Sequence, residues 1–192
     1  MGRLLKTDAP AVSQRESDVL YLGISGVLHP SESLYILVNQ RSPWDCGHQP
    51  YEAVPILANM LSDWPQVRIV LTSTQPWSKG LDHVLASLGP TLACRVDGFT
   101  YADLTTRARL GVRGGPLSDE DYWRCNKSDI VRLHVQWLQP RAWLALDDDT
   151  ILWREEERRN HLVEVDGCLG LAADVDAQDR LQMSLARMFR RA

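Results

Sequence analysis

Acidic and hydroxyl side chains follow two apolar runs of the chain, where a sheet would present them to a ligand. Three aspartates, Asp147 to Asp149, come directly after the apolar run 142–146, and Thr72-Ser73-Thr74 comes directly after the run 67–71. Carboxylates are ligands for Mg²⁺. A hydroxyl cluster after a strand closes a turn, caps a helix or holds a phosphate. Taken singly, each cluster is more often a turn or a solvated loop than a ligand site.

The elements that must position these residues alternate between strand and helix. The apolar runs 19–22, 67–71 and 142–146 predict strands, whereas 51–64 and 126–139 carry apolar residues at helical spacing. This alternation predicts an α/β fold with a mostly parallel sheet and helices on both faces. In such a sheet, ligands bind beyond the carboxyl ends of the strands. Both polar clusters are therefore expected at the same edge.

The rest of the chain continues the pattern with shorter elements. Gly98 to Asp121 predicts an extended loop, because it is rich in glycine and arginine. The remaining predictions are strands at 34–38, 92–96 and 161–165, a helix at 78–88 that stops at Gly89-Pro90, and a closing helix at 175–189.

Length and composition bound the domain organisation and the location. The 192 residues suffice for one domain with a sizeable core. We expect residues 1–17 to form a flexible N-terminal arm and residues 18–192 a single domain. The four cysteines lie far apart with no Cys-x-x-Cys pair, which fits free thiols in a reducing compartment, so we expect a cytoplasmic protein.

Charge and hydropathy weigh against two classes of partner. The formal net charge of −4 gives no general attraction to nucleic acid or to an anionic membrane, so a nucleic-acid partner is not indicated by net charge. No stretch approaches the roughly 18 apolar residues of a membrane span, so a membrane partner is not expected either.

The segment that follows the first apolar run reads Gly23-Ile24-Ser25-Gly26-Val27-Leu28. It resembles motif I of the haloacid dehalogenase-like (HAD) superfamily, which reads Asp-x-Asp-Gly-Val-Leu. In the family the first aspartate is the nucleophile and the second is the general acid/base. Here Gly23 and Ser25 stand at those positions. Glycine has no group to attack phosphorus and serine is a poor proton donor near neutral pH, so the route through an aspartyl-phosphate is closed.

Three later segments are similar to the other HAD motifs, and the resemblance implies a role for each. Thr72, with Ser73 as the alternative in register, matches the motif II hydroxyl that holds a phosphoryl oxygen. Lys127 matches the motif III lysine that neutralises the phosphate. Asp147 and Asp148 match the motif IV acids that hold Mg²⁺, a cofactor expected to bind weakly here without the first aspartate.

The resemblance covers most of residues 19–189 and implies a HAD-like Rossmannoid fold with little or no cap. The segment 166–171 resembles the late strand and Gly-Leu turn of small HAD-like domains, some of them attached to RNA-repair proteins. The short segments between motifs imply an open site, which suits a phosphorylated ligand or a protein partner.

Two functions stay open at this point. The first is a non-catalytic pseudophosphatase that binds a phosphate, a nucleotide or a protein, and the missing carboxylates at Gly23 and Ser25 favour it. The second is an enzyme, a Mg²⁺-dependent phosphohydrolase with an unorthodox nucleophile. The loop Trp44 to His48 brings an acid, a thiol and an imidazole together, but such a loop is more often structural.

Tryptophans and arginines are candidates for an open cleft. Of the seven tryptophans, Trp44, Trp77 and Trp123 are the ones that suit a cleft wall, and the others suit a core. Together with Arg107, Arg109 and Arg113 they have the chemistry to stack on and neutralise a nucleotide. Exposed arginines in a glycine-rich loop are, however, commonly only solvated.

Overall fold

Five parallel strands form the centre of the molecule. The structure, a computed structural model, describes residues 17–101 and 114–190. Its sheet has the strand order β3-β2-β1-β4-β5, so β1 lies in the middle with a neighbour on each side. The strands are β1 (Asp18–Leu22), β2 (Val67–Leu71), β3 (Val96–Phe99), β4 (Ala142–Asp147) and β5 (Leu162–Glu164). The predicted parallel α/β fold is thereby confirmed.

Helices connect the strands, as a parallel sheet requires. A 3₁₀ turn at Trp44–Cys46 lies between the first two helices. The helices are α1 (Glu32–Asn39), α2 (Val54–Met60), α3 (Gln75–Ser78), α4 (Leu81–Ala93), α5 (Asp119–Tyr122), α6 (Lys127–Leu138), α7 (Glu155–His161), α8 (Gly170–Ala173) and α9 (Val175–Phe189). No helix of the described residues is long and apolar enough to cross a membrane.

The two faces of the sheet bury separate apolar clusters. Alternate residues of β1 point to opposite faces, because side chains alternate along a strand. Leu20 and Leu22 belong to the larger cluster, which includes the inner faces of α2, α4 and α9. Val19 and Tyr21 belong to the smaller one, which includes residues of α6. Helices therefore cover both faces, and the carboxyl edge of the sheet holds the loops.

One predicted strand is a helix in the structure. We expected a strand at 34–38, but these residues lie in α1. The chain is only 11 residues past β1 at this point, and a parallel crossover takes a dozen or more. Because β1 is already paired on both sides, a strand here would have to reach the free edge of β3 or of β5. The apolar segment instead forms a helix with no buried residue.

The structure refines the boundaries around Gly89 and β3. The helix predicted to stop at Gly89-Pro90 does break there, because Gly89 leaves the helical conformation (φ 67°, ψ 167°), and a second helical segment follows this kink and runs to Ala93. The strand expected at 92–96 consequently begins only at Val96. The expected arm, apart from Ser17, lies outside the described residues, as does half of the predicted loop, residues 102–113, with Arg107, Arg109 and Arg113.

Candidate functional site

The carboxyl ends of β1, β2 and β4 bring the predicted site residues together. Leu22 pairs with Leu71 on one side and with Leu146 on the other. The residues after these three positions are Gly23, Thr72 and Asp147, and they are therefore neighbours across the sheet edge. Backbone hydrogen bonds fix this register: the Thr72 N–H donates to the Leu22 carbonyl (3.0 Å) and the Gly23 N–H to the Leu146 carbonyl (3.0 Å).

Asp147 is the centre of a set of contacts that we call the polar cluster: Thr72, Lys127 and Asp147. The Thr72 hydroxyl donates to Asp147 Oδ2 (3.1 Å), and Lys127 Nζ lies 3.3 Å from the same oxygen. The other oxygen, Oδ1, accepts the Asp149 N–H (3.1 Å). Asp147 is 2% exposed. Its carboxylate is therefore buried but neutralised and hydrogen-bonded, as a buried charge must be.

Lys127 reaches the cluster from the first turn of α6. Asn126 caps this helix by accepting the Asp129 N–H on its side-chain oxygen (2.9 Å). Lys127 Nζ also donates to the Thr72 carbonyl (3.3 Å). Burial by itself lowers the pKa of Lys127, but Asp147 outweighs it with help from Tyr122 and Asp148, so the pKa is raised and the ammonium stays charged.

Gly23 leaves a space that the Asp147 side chain approaches. A Cβ atom at Gly23 would lie 2.8 Å from Asp147 Oδ2 and 3.0 Å from Val27 Cγ2. The Asp147 carboxylate thus lies next to the place where the side chain of the first motif I residue would begin. Ser25, at the second motif I position, is exposed.

Asp148 lies close to two backbone positions that glycine leaves open. A Cβ at Gly26, whose φ is +78°, would overlap the Asp148 carboxylate, and a Cβ at Gly167 would lie 2.6 Å from its Oδ2. Burial chiefly, and then the nearby charge of Asp147, raises the pKa of Asp148 to about 7, against the smaller opposing effect of Lys127. Asp148 is therefore partly protonated near neutral pH.

A cavity of about 300 Å³ opens beside the polar cluster. Its volume is at the lower end of the range for small-molecule sites. Hydroxyls, one amine, one carboxylate and aromatic rings line it. Among its lining residues are Ser25, Thr72, Ser73, Thr74, Tyr122, Trp123, Asn126, Lys127 and Asp149.

Tyr122 connects the cavity wall to the polar cluster, and the sequence analysis missed it. Its hydroxyl donates to the Thr72 carbonyl (2.8 Å), the same oxygen that Lys127 contacts. The contact spans 50 residues of chain, so no local pattern predicts it. The only signal was its place beside Trp123, shortly before the motif III lysine.

Comparison with known proteins assigns the family. The family model of the HAD domain in Swiss Army Knife RNA repair proteins matches residues 19–175. The chain belongs to this family. Neither the curated proteins nor the solved structures gave a match. The resemblance that we stated from the motifs is thereby confirmed, including the likeness to HAD domains of RNA-repair proteins.

The predicted site residues of this HAD domain fall into two groups. Thr72 and Lys127 line the cavity and touch each other through the Thr72 carbonyl. Ser73 also lines the cavity, but its hydroxyl accepts the Gln75 N–H (3.1 Å) and closes the turn before α3. Their role in phosphate binding stays a prediction. Of the three aspartates, Asp149 lines the cavity, and sequence reasoning did not single it out.

HAD domains generally depend on Mg²⁺, and the donors of this chain can be tested against that ion. Asp147 already accepts three contacts, and Asp148 packs against Gly26 and Gly167 with a raised pKa. Within residues 17–101 and 114–190, no group of three or more His, Cys, Asp or Glu side chains is placed to hold a metal. Mg²⁺ needs near-octahedral oxygen ligands. This donor set does not fit a tightly held ion.

The tryptophans predicted to suit a cleft take different positions. Trp123 lines the cavity and Trp77 packs against it, with ring centroids 5.7 Å apart. Trp44 instead packs on His29 (5.6 Å) and donates to Glu32 (3.1 Å). In the same loop, His48 pairs with Glu52 (2.7 Å), which fits the structural interpretation of that loop.

Proposed function

We propose that this HAD domain binds a phosphorylated ligand in the cavity beside the polar cluster and does not turn it over through an aspartyl-phosphate. The observation that carries the proposal is the environment of Gly23. This residue has no nucleophile, and the nearest carboxylate, Asp147, is buried and already neutralised by Lys127 and Thr72. Losing a nucleophile together with its acid/base partner commonly costs on the order of 10⁴ to 10⁶ in turnover.

The groups that would hold a phosphate remain in position. An ammonium group has three N–H donors. Among the described residues, Lys127 Nζ contacts Asp147 and the Thr72 carbonyl, which leaves one donor for a ligand in the cavity that Lys127 lines. The hydroxyls of Ser25 and Thr74 lie at the same cavity. Hydrogen bonds from charged donors to phosphate are about twice as strong as neutral ones.

Binding measurements with matched lysine variants test the proposal. Titration calorimetry with inorganic phosphate and ribose 5-phosphate compares the unaltered protein with Lys127→Met and with Lys79→Met, which removes an exposed lysine. We expect Lys127→Met to weaken binding about tenfold or more, since a hydrogen bond to a charged group contributes roughly 1.5–3 kcal/mol. Lys79→Met leaves binding unchanged. Equal affinities in all three proteins overturn the proposal.

Two further arms protect this test from trivial outcomes. Circular dichroism and thermal denaturation establish that Lys127→Met is folded. Thr72→Ser keeps the hydroxyl that donates to Asp147, so we expect this variant to retain phosphate binding. Thr72→Val removes that hydroxyl, and we expect it to lose phosphate binding. Because the donor set does not fit a tightly held metal, we expect the same affinity with Mg²⁺ and with EDTA.

A second candidate function rests on one specific observation, the approach of Asp147 Oδ2 to the position vacated at residue 23. In this alternative, an Asp147 oxygen forms the bond to phosphorus as the bond to the leaving oxygen breaks. The leaving oxygen takes a proton from solvent on the open side. Water then cleaves the acyl-phosphate and regenerates the carboxylate. The burial of Asp147 disfavours this route, because the carboxylate must first be freed from Lys127 and Thr72.

A phosphatase panel separates the two candidates. It compares the unaltered protein, Asp147→Asn and a double variant with Gly23→Asp and Ser25→Asp, each assayed with Mg²⁺. We expect no turnover from the unaltered protein, and turnover from the double variant once Asp147 rotates away from the new side chain. Turnover by the unaltered protein that disappears in Asp147→Asn would overturn the binding proposal and establish the second candidate.

A further inference from the structure

We propose that Trp77 and Trp123 form a stacking surface for the base of a nucleotide whose phosphate lies at Thr72 and Lys127. We call these two rings, with Tyr101 behind them, the aromatic shelf. The inference rests on the proposed function, since it names the class of phosphorylated ligand that the cavity takes. The shared chemistry is a nucleoside monophosphate group, either free or at the end of a single strand.

The two tryptophans of the shelf are exposed to solvent, and the buried Tyr101 supports Trp77 from behind. Trp123 is 67% exposed and lines the cavity, and Trp77 is 39% exposed. Trp77 stacks on the buried Tyr101 with centroids 5.2 Å apart and planes at 23°. Contiguous exposed apolar surface, such as these two adjacent rings, marks interaction sites and ligand-binding grooves, and aromatic faces bind bases whatever their sequence.

The shelf is also tied to the groups proposed to hold phosphate. Trp123 packs edge-on against its neighbour Tyr122, with centroids 5.9 Å apart and planes at 90°. Tyr122 in turn donates to the Thr72 carbonyl, which Lys127 also contacts. A single backbone oxygen therefore connects the aromatic wall to the phosphate side. The two ends of a nucleotide, one flat and one anionic, match these two ends of the cavity.

The size of the cavity limits how much of a nucleic acid enters. At about 300 Å³ it suits a ligand near the lower size limit of small-molecule sites, so one terminal nucleotide enters and the rest stays outside. The net charge of −4 gives no long-range attraction to a polyanion. Recognition consequently depends on the terminal nucleotide, and its base must be unpaired to reach the shelf.

Titration calorimetry with a graded series of probes tests the shelf. The probes are inorganic phosphate, ribose 5-phosphate, O-phosphotyrosine, adenosine 5′- and 3′-monophosphates, and short oligoribonucleotides with a terminal phosphate, single-stranded or in a blunt duplex. We expect at least one of the two adenosine monophosphates to bind about tenfold or more tightly than ribose 5-phosphate. Single strands bind at least as tightly as that nucleotide if the natural ligand is a strand end, and more weakly if it is a free nucleotide. The duplex binds more weakly than the single strand.

Tryptophan variants assign the effect to the shelf. Trp123→Ala removes the nucleotide advantage and leaves the affinity for ribose 5-phosphate unchanged, whereas Trp123→Phe retains part of it. Trp44→Ala is the matched control, because Trp44 does not line the cavity. The inference is overturned if neither adenosine monophosphate binds more tightly than ribose 5-phosphate, or if phosphotyrosine binds as tightly as the better of the two nucleotides. It is also overturned if Trp123→Ala weakens the binding of every probe equally. Failure of the proposed function looks different, because then no probe binds in a way that depends on Lys127.

Discussion

Two regions that meet at one edge of the sheet differ in what they hold. The β1 loop, residues 23–30, has neither carboxylate of motif I, and its backbone is packed closely against the aspartates of β4. The polar cluster of Thr72, Lys127 and Asp147 has its side chains paired with one another. The contrast teaches that the groups that would bind a phosphate and the groups that would attack it are carried by different elements, so one set does not require the other.

The polar cluster also explains how the fold tolerates a glycine at a buried position of the site. In a protein with an aspartate there, the motif III lysine would neutralise that residue. Here Lys127 neutralises Asp147 instead, so each of these two buried charges has a partner. The Lys127 and Asp147 charges neutralise each other, and the ion pair keeps Lys127 at the cavity wall.

Removing Asp147 has the largest expected effect on this contrast. Asp147→Ala leaves Lys127 without its counter-ion in a site where the two side chains are only 3% and 20% exposed. We expect a loss of about 3 kcal/mol in the free energy of unfolding, since breaking a buried pair leaves an uncompensated charge. Urea denaturation measures it. The control is Asp97→Asn at the more exposed Arg68 pair, which we expect to cost less than about 1 kcal/mol. Similar losses in both variants would show that the cluster is not a buried ion pair.

Adding one carbon at Gly23 tests the close approach of the two regions. Gly23→Ala places a Cβ 2.8 Å from Asp147 Oδ2, and we expect a loss of about 2 kcal/mol, typical of overpacking. In the Asp147→Ala background most of this penalty disappears, because the crowding oxygen is gone, although Val27 remains near. A double-mutant cycle by chemical denaturation measures the coupling. Additive losses would contradict the geometry.

Acid should weaken the end of the β1 loop through His29. Its Nδ1 accepts the Tyr51 N–H (3.2 Å), and burial chiefly, with the charge of Lys79, lowers its pKa to about 4. Between about pH 6.5 and pH 4 the unfolded chain binds a proton that the folded chain does not, so stability falls as the pH falls through this window. At pH 5 the loss is about 2 kcal/mol.

Replacing the imidazole isolates this contribution. Urea denaturation at pH 8 and at pH 5 measures how much the free energy of unfolding falls between these two pH values. We expect this fall to be smaller by about 2 kcal/mol in His29→Asn than in the unaltered protein. The exposed His83, replaced in the same way, is the control and leaves the pH dependence as it was. An undiminished acid effect in His29→Asn would show that another group, such as the buried His134, whose pKa burial lowers to about 3, dominates the loss.

The sequence predicts the frame of the site better than its contacts. The apolar runs of β1, β2 and β4 placed Gly23, Thr72 and Asp147 at one edge, because parallel strands end together. The Asp147 carboxylate lies close to the position that a side chain at Gly23 would occupy, and no local sequence pattern predicts this contact. The apolar residues of α1 suit a strand as well as a helix, so their pattern alone does not distinguish the two structures.

A pair of tyrosines gives the smallest and most selective comparison. Tyr122 donates to the Thr72 carbonyl in the polar cluster (2.8 Å), and Tyr51, beside the β1 loop, donates to Gln75 Oε1 (2.7 Å). Each Tyr→Phe variant removes one hydrogen bond, and we expect each to cost about 1 kcal/mol in stability.

Ligand affinity separates the two tyrosines although stability does not. In Tyr122→Phe, Lys127 is left as the donor to the Thr72 carbonyl, so the lysine is drawn toward that oxygen and away from the cavity. We therefore expect weaker binding of ribose 5-phosphate by titration calorimetry in Tyr122→Phe and unchanged binding in Tyr51→Phe. If both variants bind like the unaltered protein, the polar cluster does not position Lys127 for a ligand; if both bind more weakly, the β1 loop contributes to the phosphate site more than its missing carboxylates indicate.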